Sequence, residues 1–290
     1  VCYDSIKRLE TLKALYYFRS SILSVTLLLL TPVWAAEPLI VAHRGASGQA
    51  PENTLPAFQL AWEQGADAIE ADFRLTKDGY VVCVHDRDTK RVSGKKLVVK
   101  DSTLAELQLL DVGSFKGTQF KGVPIPTISQ VLAVVPEGKK IYIEIKVGKE
   151  IIPQLLKEIQ KSKLSNDQLV IICFDPDVLL EIRSRAPKLK VSWLVNFKKD
   201  KEGNISPDMG VSFKILEVMK ADGISTSKRF VGEEFIKRAQ SLGYEHHIWT
   251  IDDIPTARQY RQWGSQSITT NFPAKMREAM MPIKKEKLAP

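Results

Sequence analysis

Short apolar runs of strand type alternate with helix-type segments along almost the whole chain, and this alternation narrows the fold more than any other feature. The strand-like runs cover residues 39–43, 68–74, 80–85, 140–145, 168–174, 190–195, 223–226, 246–251 and 267–270. Helix-like segments at 54–64, 129–135, 150–162, 176–185, 213–220, 232–242 and 255–263 separate most of them. Strand and helix in regular succession indicate an α/β fold with a mainly parallel sheet. One join breaks the rule. Only Lys77-Asp78-Gly79 and their neighbours link the second run to the third, whereas a parallel crossover takes about a dozen residues. The join reads as a hairpin turn, with Gly79 supplying backbone angles that other residues resist. Pairing about Asp78 sets Asp72 opposite Val84 and Glu70 opposite Asp86. Nine runs are one more than an eight-stranded barrel uses. Eight are read as the barrel and one as a hairpin addition, and the runs alone do not say which.

Residues 1–35 read as a secretory signal peptide. Lys7, Arg8, Lys13 and Arg19 precede an apolar segment at 22–30, and Val33-Trp34-Ala35 offers small residues at the −3 and −1 positions. Cleavage is expected after Ala35, with Ala36 as the next choice. The alternative is an uncleaved anchor, but the apolar core is short for a bilayer. The expected mature domain is 36–290, exported to the periplasm or secreted, with no stable membrane span. The leader removes four of the 42 basic and two of the 34 acidic residues, which leaves a net charge of +6. That balance favours anionic substrates or surfaces. It is too dispersed to argue nucleic-acid binding, because Lys95-Lys96, Lys139-Lys140, Lys198-Lys199 and Lys284-Lys285 are separated pairs on solvated faces. Cys83 and Cys173 each lie inside an apolar run and read as buried free thiols. An oligomeric state is not legible.

Chemistry gathers at the ends of four runs. His43-Arg44-Gly45 closes the first, Glu70-x-Asp72 lies in the second, His85-Asp86 closes the third and Glu144-x-Lys146 the fourth. Barrels of parallel strands carry their active sites at the C-terminal strand ends. Glu70 and Asp72, two apart, share one strand face, as do Glu144 and Lys146. Glu70, Asp72 and Glu144 supply three hard oxygen ligands suited to Mg²⁺ or Ca²⁺. Taken singly, each carboxylate could equally pair with a nearby cation. The chain has only four histidines, and two of them, His43 and His85, stand beside this cluster as an acid–base pair. His246 and His247 open their run, at the end of a barrel that serves stability. Arg44 suits a fork onto phosphate oxygens, and Lys146 can be a phosphate contact, a carboxylate partner or both. Phe174 and Trp249 end later runs and are candidates for an apolar pocket wall or for ordinary core. Residues 87–126 form a long connection with its own short helix at 104–110, where Thr103 and Glu106 are spaced as a capping box. Such a segment reads as a lid or substrate wall, docked by Leu104, Leu107 and Leu110.

The ordered set His43-Arg44-Gly45-Ala46-Ser47-Gly48, Pro51-Glu52-Asn53-Thr54, Glu70-Ala71-Asp72, Leu75-Thr76-Lys77-Asp78-Gly79, His85-Asp86 and Glu144-Ile145-Lys146 resembles the glycerophosphodiester phosphodiesterase family over about residues 39–275. The resemblance implies a TIM (β/α)8 barrel with an insertion after the His-Asp strand. It implies Glu70, Asp72 and Glu144 as ligands of a divalent cation, His43 and His85 as general acid and base, and Arg44 and Lys146 near the phosphate. Trp249-Thr250 is similar to the family's late Trp-Thr strand end, which favours Trp249 as a pocket wall. The implied reaction hydrolyses glycerophosphodiesters to glycerol 3-phosphate and an alcohol, through attack of the glycerol 2-hydroxyl and a cyclic phosphate that water opens. A lysophospholipase D-like action on lipid-like substrates is the alternative reaction, and a catalytically idle binding barrel the alternative class; the intact acid–base and ligand set argues against the second. Two positions depart from the family pattern. Thr270-Asn271 stands where Thr-Asp is common, and Cys173-Phe174 where Ser-Phe is common. Both are expected to lie clear of the histidines and metal ligands.

Overall fold

The computed structural model describes residues 37–280. The proposed leader lies outside them. The strands are β1 (Leu39–His43), β2 (Ala68–Leu75), β3 (Val81–Cys83), β4 (Lys140–Ile145), β5 (Leu169–Cys173), β6 (Lys190–Val195), β7 (Lys198–Lys199), β8 (Ile205–Ser206), β9 (Gly223–Ser227), β10 (Glu245–Trp249) and β11 (Ser267–Thr270). Eight of them, β1, β2, β4, β5, β6, β9, β10 and β11, pair in parallel, and β1 closes the ring by bonding both β2 and β11. The fold is a closed (β/α)8 barrel, as the alternation and the family pattern predict.

The hairpin addition is β3. It pairs antiparallel with β2, with Phe73 opposite Cys83 and Leu75 opposite Val81. The same register carries on to Asp72, whose carbonyl accepts the Val84 N–H at 2.9 Å. A short β7–β8 hairpin and a final helix, Pro273–Met280, complete the described residues and have no counterpart in the sequence reading. Both are two-residue or terminal elements without a strong apolar period.

Strand alternation divides the barrel into two apolar layers. Ile40, Ala42, Ile69, Ala71, Ile141, Ile143 and Ile171 face outward and pack on the helices. Val41, Ala68, Tyr142, Val170, Ile172 and Leu194 face inward and fill the barrel. The same parity that points Val41 and Ala68 inward also turns His43, Glu70 and Asp72 into the barrel mouth. Cys83 and Cys173 are buried and unpaired, as expected.

The insertion has a core of its own. Val92, Val99, Leu107, Leu110, Val112 and Ile125 pack with Val82 and Val84 of the hairpin. Its helix, Leu104–Gln108, starts with the capping box expected of Thr103 and Glu106. Asp78 at the hairpin tip accepts the Leu104 N–H at 3.0 Å, which ties the turn to that helix. Because the insertion covers the outer face of β3, it contributes to stability and is more than a removable flap. Leu107, fully buried here, tests this: Leu107→Ala should cost about 2–4 kcal/mol in urea unfolding. A change within error would mean that the satellite core is dispensable.

Candidate active site

The turn after β1 builds one side of the site. Arg44, Gly45 and Asn53 all have positive φ, at 56°, 81° and 59°. A Cβ on Gly45 would lie 2.6 Å from the Ala57 backbone carbon, so only glycine fits there. The left-handed turn aims the Arg44 N–H at Glu70 Oε2, 3.0 Å away. Asn53 answers Asp72 twice: its Nδ2 donates to Asp72 Oδ2 at 2.8 Å, and its Oδ1 accepts the Asp72 N–H at 3.1 Å. The spacing of His-Arg-Gly and Glu-Asn-Thr therefore exists to hold the two β2 carboxylates.

Glu70, Asp72 and Glu144 come together as expected. Asp72 and Glu144 sit level across β2 and β4, and one oxygen from each of the three carboxylates lies within 4.8 Å of the others. They are 3%, 1% and 8% exposed. Glu70 Oε1 and Asp72 Oδ1 are buried without a hydrogen-bond partner. Burial, and then the charges of Asp72 and Glu144, raise Glu70 well above the usual carboxylate range. Burial and Asp72 push Glu144 up to about 7. For Asp72, burial is outweighed by Arg44 and Lys146, which hold it low. Three crowded carboxyl groups with orphaned oxygens are a donor set that a divalent cation would satisfy.

Lys146 Nζ lies 2.5 Å from Glu144 Oε1 and 3.5 Å from Asp72 Oδ1, so the carboxylate-partner role is real. It also lies 5.8 Å from the Phe174 ring centre. Arg44 is held by Glu52 at 2.9 Å, and its Nε stands 3.1 Å from Asp72 Oδ2 without hydrogen-bond alignment.

Both histidines border the same cavity, and each is oriented from behind. His85 Nδ1 is 2.7 Å from Asp86 Oδ1. Arg91, from the insertion, grips Asp86 through Nε at 2.7 Å and takes Glu52 with both terminal nitrogens, at 2.7 and 2.9 Å. One guanidinium thus braces the partner of His85 and the partner of Arg44. Burial, and then the Arg44 charge, lower His43 to about 4.

The expectation that Asn271 stands clear of the site is overturned. Asn271 Oδ1 lies 2.8 Å from His43 Nδ1 and accepts from Ser47 Oγ at 2.8 Å. Its Nδ2 donates to Asp252 Oδ2 at 2.6 Å. Asp252 can only accept, so it fixes the amide with Oδ1 towards His43. The imidazole proton then resides on Nδ1, and Nε2 faces the cavity, 3.9 Å from Glu70 Oε2. Strand parity carries this information, since Ser267, Thr269 and Asn271 are two apart and point inward together.

The cavity holds about 240 Å³ and is lined by His43, Arg44, Glu70, His85, Glu144 and Lys146 on one side, and by Tyr142, Ile172, Phe174, Leu194 and Trp249 on the other. Phe174 and Trp249 meet edge to face at 5.8 Å, and both are wall residues; Phe174 is 44% exposed at the mouth. His247, assigned by its place in the strand to the stability end, also lines the cavity from inside the barrel, whereas His246 is buried beneath the helices. No residue of 87–126 lines the cavity. Towards this cavity the insertion supplies a brace: Arg91 as above, and Lys116 Nζ donating to the Ser47 carbonyl at 2.6 Å. Arg91→Ala should lower kcat by roughly 10–100-fold, the usual cost of losing a group that orients first-contact side chains. Unchanged kcat with unchanged KM would remove Arg91 from the site.

Known proteins agree with this geometry. The sequence matches the Glycerophosphoryl diester phosphodiesterase family over residues 43–275, and the chain belongs to that family. It is 39% identical to a glycerophosphodiester phosphodiesterase of Caldanaerobacter subterraneus subsp. tengcongensis over 242 residues, 81% of this chain and 94% of that protein. It is 30% identical to a glycerophosphodiester phosphodiesterase of Bacillus subtilis, over 87% of this chain and 93% of that one. Among solved structures it is similar to an Oleispira antarctica phosphodiesterase in complex with the product sn-glycerol-3-phosphate, with TM-score 0.76, 26% identity and coverage of 84% and 97%.

Proposed function

We propose that the chain hydrolyses glycerophosphodiesters to glycerol 3-phosphate and an alcohol, with Mg²⁺ or Ca²⁺ held by Glu70, Asp72 and Glu144. The buried cluster of Glu70, Asp72 and Glu144, two of which line one cavity together with both histidines, carries this reading. When bound, a divalent cation polarises a phosphoryl oxygen and neutralises charge that develops on it. His43, backed by a neutral amide, presents an Nε2 lone pair and acts as base towards the attacking hydroxyl. His85, its Nδ1 held by the Asp86 carboxylate, presents Nε2 to the departing alcohol oxygen and donates a proton to it. With the glycerol 2-hydroxyl as nucleophile, the first stage yields a cyclic phosphate. In the second stage the roles reverse: His85 accepts a proton from water and His43 returns one to the 2-oxygen. Arg44 and Lys146 keep positive charge beside the phosphate, and Phe174 and Trp249 wall the apolar side.

Release of glycerol 3-phosphate from a panel of glycerophosphodiesters, with and without exhaustive chelation, tests this. No release, or release that survives metal removal, overturns it. Lysophosphatidylcholine in the same panel addresses the lipid-directed alternative; preferential cleavage of it would favour that reading. Export is part of the proposal and rests on the basic start, apolar core and small residues of 1–35. Among the described residues no helix is long and apolar enough to cross a membrane. Sequencing the N-terminus of the exported chain should find Ala36 or Glu37 first, and an intact leader would count against cleavage.

A further inference from the structure

A second depression, of about 470 Å³, adjoins the catalytic cavity between the hairpin, the insertion and the loop after β4. Lys146 lines both. The other charged lining residues are Arg74, Lys77, Arg87, Lys100 and a single carboxylate, Glu150. Lys146 is committed to Glu144 and Asp72. Arg74 is pinned by backbone, its Nε donating to the His85 carbonyl at 2.9 Å and its Nη1 to the Lys146 carbonyl at 3.2 Å. Those bonds fix where its charge sits, directly behind two residues of the active site, and leave that charge without a carboxylate in contact. Lys77, Arg87 and Lys100 are exposed. Like charges are thus gathered around an open groove that starts at the active-site wall. Such a field attracts anions and repels cations.

We propose that this groove binds an anionic group carried by the alcohol part of the substrate, so that the enzyme prefers glycerophosphodiesters whose alcohol bears its own phosphate or carboxylate. The inference rests on the phosphodiesterase reading above. The glycerophosphoryl part common to all substrates belongs in the enclosed cavity with the carboxylates and histidines. The variable alcohol leaves by the mouth, and Lys146 is the residue that the cavity wall and the groove share. A phosphate or carboxylate there gains from the four cations. A quaternary ammonium gains nothing and is repelled.

The test compares two diesters on the metal-loaded full chain. One is glycerophosphocholine. The other is a glycerophosphodiester whose alcohol is glycerol 3-phosphate. At low ionic strength the anionic diester should have a kcat/KM about 10-fold or more above that of the choline diester, and the margin should shrink as salt rises to about 0.5 M. Arg87→Glu/Lys100→Glu changes only exposed side chains and should erase the margin by lowering kcat/KM for the anionic diester without lowering it for the choline diester. Lys77→Glu is a second variant, expected to give a smaller loss in the same direction. Equal preference in wild type and both variants overturns the proposal. If neither diester is cleaved, the phosphodiesterase reading has failed. The groove is then judged by calorimetric titration of the intact anionic diester, where the double variant should bind at least about 10-fold more weakly. Equal affinity in that titration overturns the groove as well.

Discussion

His43→Ala and His85→Ala should each lower kcat by roughly 10²–10⁴-fold, the scale of a positioned acid or base. Both imidazoles border the cavity. Each has its Nδ1 held from behind, at 2.8 Å by Asn271 and at 2.7 Å by Asp86, which leaves Nε2 as the working atom. Neither packs in the barrel core, so the melting temperature should be nearly unchanged. The two variants separate on a diester with p-nitrophenol as the alcohol. That leaving group departs as a stable anion and needs no proton, so His85→Ala should regain most of its rate on it. His43→Ala should not, because the nucleophile still needs a base. If both variants recover equally, the assignment of base and acid is wrong. If either keeps near-wild-type turnover on glycerophosphocholine, that histidine is no catalyst.

Glu70→Gln, Asp72→Asn and Glu144→Gln should each cost roughly 10³-fold or more in activity, since a cation at a phosphoryl oxygen lowers the barrier by several kcal/mol. The effect on stability should differ among them. Glu70 is crowded by Asp72 and Glu144 and accepts only the Arg44 N–H. A neutral isostere there relieves repulsion, so chelated Glu70→Gln should melt at or above chelated wild type, by up to about 2–4 °C. Asp72 instead anchors Arg44, Lys146 and Asn53. Asp72→Asn removes the anion those groups surround and should melt lower. Thermal scans with and without chelator, read beside turnover, check both directions. Retained activity in all three variants would exclude the cluster as the cation site. A lower melting temperature for chelated Glu70→Gln would show that its charge is structurally needed.

Much of the site is local in origin and was therefore legible. Glu70 and Asp72 share a strand, and Glu144 and Lys146 share another, so two-residue parity alone puts each pair on one face. The hairpin register followed from a single short join at Gly79, and it brought His85 level with the carboxylates. Asn271 could have been placed by the same parity. Its bond to His43, 228 residues away in sequence, exists only because β11 closes the ring beside β1. Arg91 carried no usable local signal: it lies in an irregular segment, and its three bonds run to residues brought near by the docking of the insertion's small core.

The sequence by itself determined the nine strands of the main sheet, the barrel class, the faces on which the catalytic groups project and their chemical types. These depend on periodicity and residue chemistry, which are properties of neighbours in the chain. The tertiary structure alone decided that β3 is the added strand, that the insertion braces the catalytic cavity without lining it, that Asn271 and Asp252 set the His43 tautomer, and that four cations gather beside Lys146. Each of these depends on ring closure or on loop docking, where contacts form between residues tens to hundreds of positions apart and no local pattern records the partner.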